Sequence, residues 1–230
     1  NGLRVIVARA GDQPWFSSVL MVRGGDAAEG GPGAVNEYMA EMLTRGAGDL
    51  SATDIAARIE QLGGSISAGG GADRQTLSVS APAVNAEQAA ALMATVARNP
   101  TFAGSELEQY RSEAIDGYRV AMRQPGNIAA EVSTRLLFGG ATYGEGSATE
   151  AQQRAVTAEQ LARFHSTWWR PDNATLLIGG SMEPEAAFAL AQEMFGDWRA
   201  PAAALPALAP LTGDNPGPRV VVVDMGAAAG

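Results

Sequence analysis

The chain has 230 residues, 46% of them hydrophobic and 18% charged, which allows one large domain or two small ones around a sizeable core. Its net charge of -9 disfavours nucleic acid and anionic membranes as partners, because like charges repel. The absence of cysteine excludes disulfides, thiolate zinc sites and cysteine nucleophiles, and a single histidine, His165, excludes a site built from several histidines of this chain.

In chain order, residues 3–9 (LRVIVAR) and 16–22 (FSSVLMV) read as strands, the second ended by Gly24-Gly25. A glycine-rich loop follows. Residues 33–48 (GAVNEYMAEMLTRGAG) then form a helix with a glycine stop, and Glu37 and Glu41, four apart, share one of its faces. Ser51 caps a helix over residues 52–62, with Asp54 in its first turn and Gly63-Gly64 at its end. Residues 65–68 are a short strand broken by Gly69-Gly70-Gly71. Residues 75–81 alternate with period two, which turns Leu77 and Val79 inward and completes a hairpin.

Helices are predicted next over residues 85–98, with Leu92, Met93 and Val96 on one side, over 106–122, and over 128–138 up to Gly139-Gly140. Thr157 caps a helix over 158–168, Pro171-Asp172-Asn173 is a turn, 174–178 a strand, and 183–195 a helix with Pro184 in its first turn. The order implies an α+β fold: one mostly antiparallel sheet with helices packed on one face. Residues 1–199 form that domain. Residues 200–218 (APAAALPALAPLTGDNPGP) read as a Pro/Ala-rich linker, and 219–230 as the opening strand of a second, mostly missing domain. No apolar run reaches about 18 residues, so no spanning helix is expected. No signal peptide is visible, although the chain opens at Asn1 rather than Met.

Several stretches together resemble the M16 peptidases, the insulinase, pitrilysin and mitochondrial processing peptidase group. They are NGLRVIV, FSSVLMVRGG, EMLTRGAG, IEQLGGSISAGGGADRQTLSVSAP, ARNPTF, SELEQYRSEAIDGYRVAMRQP and ATYGEGSATEAQQRAVTAEQLARFHSTWWRPDNATLLIGG. Each piece is common, but their order and spacing cover essentially the whole chain. The trailing VVVVDMGAAAG resembles the start of such proteins' second, homologous half.

Active members of that family carry His-x-x-Glu-His on the first helix, with the histidines binding zinc and the glutamate as general base, and a third glutamate ligand on a later helix. Anchored on Met42-Leu43, the resemblance puts Glu37 and Glu41 at the histidine positions and Ala40 at the general-base position. The third ligand, about 76 residues beyond Glu41, falls at Gly117. Anchored on Gly33 instead, the window becomes Asn36, Glu37, Tyr38, Met39 and Ala40; neither register contains a histidine. Two carboxylates at this spacing touch a hard cation poorly, since Ca²⁺ wants six to eight oxygens. The plainer reading is a polar stripe along a vacated pocket or a subunit interface. The resemblance therefore implies a non-catalytic subunit with no cofactor of its own. It would pair with a zinc-bearing M16 partner, as a heterodimer, or with itself as a homodimer, to complete a peptidase chamber and help hold peptide.

In the family the strand matching Ser65, Ile66, Ser67 and Ala68 is an edge strand to which substrate peptides add by β-augmentation. The alternatives are a stand-alone peptide-binding module, a self-associating structural protein, and an active hydrolase with an unfamiliar site. His165 reads as an acid/base or, more plainly, as a helix C-terminal cation or packed ring. The triple glycine reads as an anion cradle or as a place where backbone approaches closely. Ser17, Ser18, Ser65 and Ser67 have only His165 as a triad partner, and Trp168, Trp169 and Trp198 read as core anchors. Low lysine, high alanine and glycine, and the often exported relatives of the paired type point to a bacterial periplasm.

Overall fold

The computed structural model describes residues 1–11, 13–29, 33–139, 142–208 and 220–224. The elements in order are β1 (Arg4–Arg9), β2 (Trp15–Arg23), α1 (Val35–Leu43), β3 (Gly46–Ala47), β4 (Leu50–Ser51), α2 (Ala52–Gln61), β5 (Ser65–Gly70) and β6 (Arg74–Pro82). They continue with α3 (Ala86–Arg98), α4 (Gly104–Ala121), α5 (Pro125–Phe138), α6 (Glu150–Ala155), α7 (Ala158–Trp168), β7 (Ala174–Gly180) and α8 (Pro184–Phe195).

Five strands form the main sheet in the order β1-β7-β2-β6-β5. Only β1 and β7 run parallel; β7–β2, β2–β6 and β6–β5 are antiparallel. The sheet is therefore mostly antiparallel, and β5 is an edge. One face is dry: Phe16, Leu20 and Val22 of β2, Leu77, Val79 and Ala81 of β6, and Leu176 and Ile178 of β7 are all buried. Against them pack Tyr38, Met39, Met42 and Leu43 of α1, Ala89, Met93 and Val96 of α3, Leu161 and Trp168 of α7, and Ala187 and Leu190 of α8. On the other face Ile6, Trp15 and Leu177 remain exposed, the alternation expected of strands buried on one side.

Local chemistry explains most boundaries. The Ser51 hydroxyl accepts from the Asp54 amide while the Asp54 carboxylate accepts from the Ser51 amide, a capping box that starts α2. Thr157 and Gln160 do the same for α7, and Thr149 and Gln152 for α6. Helix α5 begins at Pro125, three residues before the expected start, because proline suits the first turn of a helix; Gly139, at φ 68°, ends it. Strand β5 runs through Gly69 and Gly70, which pair with Thr76 and Gln75, so the triple glycine does not break it where expected.

The segment expected as a linker begins as coil over residues 200–208 and is strapped down at its start. The buried Arg170 guanidinium donates to the carbonyls of Pro201 and Ala203 and forms a two-bond pair with Asp172 at 2.6 and 2.7 Å. Residues 209–219 and 225–230, which hold the rest of the linker and much of the expected second-domain strand, lie outside the described residues. Residues 220–224 form no strand: among the described residues no strand lies beside this β-branched run to complete a ladder, and Val220 and Val222 are exposed. No helix among the described residues is long and apolar enough to cross a membrane.

Candidate functional site

Helix α1 starts under an unusual cap. The residue that caps it, Ala34, has no hydrogen-bonding side chain, and Glu29, from the preceding loop, bends back instead. The Glu29 carboxylate accepts from the amides of Val35 at 3.2 Å and Asn36 at 2.6 Å. A negative group at a helix N-terminus complements the helix dipole. Burial nevertheless raises the Glu29 pKa to about 7, with its two backbone bonds opposing and the charges of Asp26 and Glu145 adding.

Asn36, 2% exposed, ties the helix to two loops. Its Nδ2 donates to Asp26 Oδ1 at 2.5 Å and to the Gly71 carbonyl at 3.2 Å, and its own carbonyl accepts from Gln75 Nε2 at 2.9 Å. Gln75 in turn accepts from the Trp169 indole N–H. One residue on, Glu37 opens toward solvent and accepts from the Tyr110 hydroxyl of α4 at 3.1 Å. Tyr110 stacks edge-on to Tyr38 with centroids 4.7 Å apart, and the Arg45 guanidinium lies 5.0 Å from its ring centre. Desolvation raises the Glu37 pKa, against the lowering effect of the Tyr110 bond and with that of nearby Glu41 and Asp26. Tyr38, fully buried, donates to Gln153 of α6 at 3.3 Å, and burial pushes its own pKa up to about 12.

Several of these residues border a cavity of about 550 Å³ between α1, α4, the end of β5 and the segment before α6. Asp26, Glu29, Asn36, Glu37, Gly70 and Gly117 are on its wall, with Glu145 across from them on that last segment. The four positions read as the family's metal site separate here. Glu37 and Gly117 line the cavity, Ala40 is buried in the core at 2% exposure, and Glu41 is exposed and does not line it. Zinc does not fit this donor set: glycine and alanine supply no ligand atom, and no three His, Cys, Asp or Glu side chains among the described residues stand close enough to share a metal.

Ser65, Ile66, Ser67 and Ala68 lie on edge strand β5, whose last residue, Gly70, reaches the cavity. A Cβ at Gly70 would lie 3.0 Å from Asn36 Nδ2, so this glycine permits close packing on α1 rather than cradling an anion. His165 takes no part in the site. Its ring stacks on Trp169, meets Phe102 edge-on and places Nε2 2.9 Å from the Ala97 carbonyl. Burial lowers its pKa, so it is a neutral packed ring and not a helix C-terminal cation. Trp168, Trp169 and Trp198 belong to the core, and Ser18 donates to the Leu177 carbonyl.

Asp26, Glu29, Tyr110 and Glu145 carry no local motif, and only tertiary structure brings them to α1. Asn36 was visible in the sequence solely as the first residue of the shifted window.

The comparisons with known proteins agree with this fold. The model of the insulinase family, peptidase family M16, matches residues 12–169, and that of the peptidase M16 inactive domain matches residues 155–229. The chain belongs to the M16 family. Among solved structures it resembles a peptidase M16 inactive domain from Pseudomonas fluorescens, with a TM-score of 0.83 and 24% identity over 92% of this chain and 51% of that one. It also resembles a protease from Helicobacter pylori, with a TM-score of 0.81 and 17% identity over 93% of this chain and 52% of that one. The periplasmic protease PqqL from Escherichia coli matches with a TM-score of 0.81 and 20% identity over 92% of this chain and 24% of that one. The chain thus spans about half the length of the first two, and these likenesses establish the fold. No curated protein sequence matches it.

Proposed function

We propose that this chain is a non-catalytic M16 subunit that pairs with a zinc-bearing M16 partner, completes a peptidase chamber and helps hold the peptide. The observation that carries the reading is the first helix itself. It keeps the family scaffold while Ala40 is sealed in the core, Glu41 is exposed and does not line the cavity, and Gly117 has no side chain, so these positions supply neither a zinc ligand set nor a general base. Zinc and the water-activating glutamate then belong to the partner. The edge of β5, unpaired among the described residues and reaching the cavity at Gly70, supports a peptide-holding role by strand addition. The same edge favours a second reading, a stand-alone peptide-binding module. A periplasmic setting is supported by the fold shared with PqqL.

The test is co-expression with an M16 chain of the same genome that carries the intact histidine motif. The expected result is no stoichiometric zinc and no cleavage for this chain alone, with chelator-sensitive peptidase activity only for the pair. One zinc per chain, with activity lost to chelator, in the isolated chain would overturn the proposal.

A further inference from the structure

Among the described residues, the cavity beside α1 is lined by four carboxylates and by no cationic side chain. Asp26, Glu29, Glu37 and Glu145 are on its wall without an arginine among them, and the chain contains no lysine. Burial is the main cause that raises the pKa of Glu29, Glu37 and Glu145, and the charge of nearby Asp26 adds to it in all three. Glu145 makes no hydrogen bond or ion pair among the described residues.

A second observation points to a ligand. Asn36 is 2% exposed, lines this cavity, and its Oδ1 is the one buried side-chain oxygen or nitrogen among the described residues without a hydrogen-bond partner. The amide cannot turn over to relieve this, because Nδ2 already donates to two acceptors, Asp26 and the Gly71 carbonyl. A buried carbonyl left unpaired is costly, and an incoming N–H group removes that cost.

We infer that this cavity binds an organic cation with several N–H donors, presented by a peptide: the head of a lysine or arginine side chain, or a free amino terminus. The peptide as source rests on the peptide-holding reading above; the acceptor-lined site does not. Gly70, at the end of edge strand β5, places the cavity where a side chain of an added strand would enter, since alternate side chains of a strand point to one face.

The test measures affinity by calorimetry for four pentapeptides of alanine with one central residue. Three are capped at both ends and carry lysine, arginine or norleucine; the fourth carries norleucine with a free amino terminus. A charge-assisted contact to carboxylates predicts that at least one cationic peptide binds about tenfold or more tighter than capped norleucine. Which peptide does so separates side chain from terminus. Glu37→Gln and Glu145→Gln, each checked for an unchanged melting temperature, are expected to weaken that peptide about tenfold while leaving capped norleucine unchanged. Because the chain has no lysine, carbodiimide coupling of the lysine peptide to Glu37 or Glu145 is readable by mass spectrometry without internal lysine cross-links. Equal affinity of all three cationic peptides and capped norleucine would overturn the cation site and leave peptide holding intact. Binding of none of the four would also overturn it, with the co-expression assay still deciding the subunit reading. One Ca²⁺ per chain that displaces the lysine peptide would overturn it in favour of a metal.

Discussion

Gly25 holds φ at +55°, and a Cβ there would collide with the carbonyl oxygen of Gly71, so backbone meets backbone where the loop before α1 crosses the β5–β6 turn. Gly25→Ala combines left-handed strain with that clash and is expected to destabilise the fold by about 2–4 kcal/mol, read from denaturant unfolding. Two titrating residues oppose each other. Glu29 has its pKa raised to about 7, so between its unfolded value of 4.5 and about 7 the folded state binds the extra proton. Its contribution to stability therefore grows as pH falls from neutral and is complete below the unfolded value. His165 has its pKa lowered from 6.5, so the unfolded state takes the proton first and the stability of the neutral ring is lost as pH falls through that region. Going from about pH 8 to about pH 5.5, the wild type should gain stability relative to Glu29→Gln and lose it relative to His165→Gln. Unchanged differences between the two pH values would refute the burial assigned to these groups.

At the scale of elements, α2 depends on its capping box, and Ser51→Ala is expected to cost about 1 kcal/mol. Arg170 fastens the coil after α8 through Pro201 and Ala203. Arg170→Ala should speed proteolytic cleavage after residue 200 more than it lowers the melting temperature; unchanged cleavage would mean the strap is idle. Elements of this kind were legible in the sequence because their signals are local. Serine or threonine three residues before aspartate or glutamine, proline at a helix start, and period-two alternation at Leu77 and Val79 each act within a few residues. Helix α6 went unseen because its six residues give too short a pattern for periodicity, and the two-residue strands β3 and β4 carry none. The candidate site was half legible. A helix without histidine can be read directly, but the carboxylates of Asp26, Glu29 and Glu145 converge only through the loop crossing and the approach of α6. The triple glycine was misjudged because glycine looks the same whether it ends a strand or, as at Gly70, lets a strand press against a helix.

Over the whole molecule, burial is uneven. Helix α5 has no buried residue, whereas Leu20 of β2 and Leu77 of β6 are fully buried. Amide protons of α5 should therefore exchange well before those of β2 and β6, which should open only with global unfolding; equal protection would refute this. The strand order has a further consequence. The central positions of the sheet are completed by β7, which pairs Arg4 with Thr175 on one side and Phe16 with Gly180 on the other. At ribosomal speeds of about 5–20 residues per second, roughly ten seconds or more separate the emergence of β1 from that of β7, its one neighbour among the described strands. Until then β1 lacks its pairing partner, and this N-terminal segment stays unpaired and threadable while β2, β5 and β6 can already associate. That is an advantage for a polypeptide that must pass through a narrow translocation channel before it folds, and a hazard, needing chaperone cover, for one that must not.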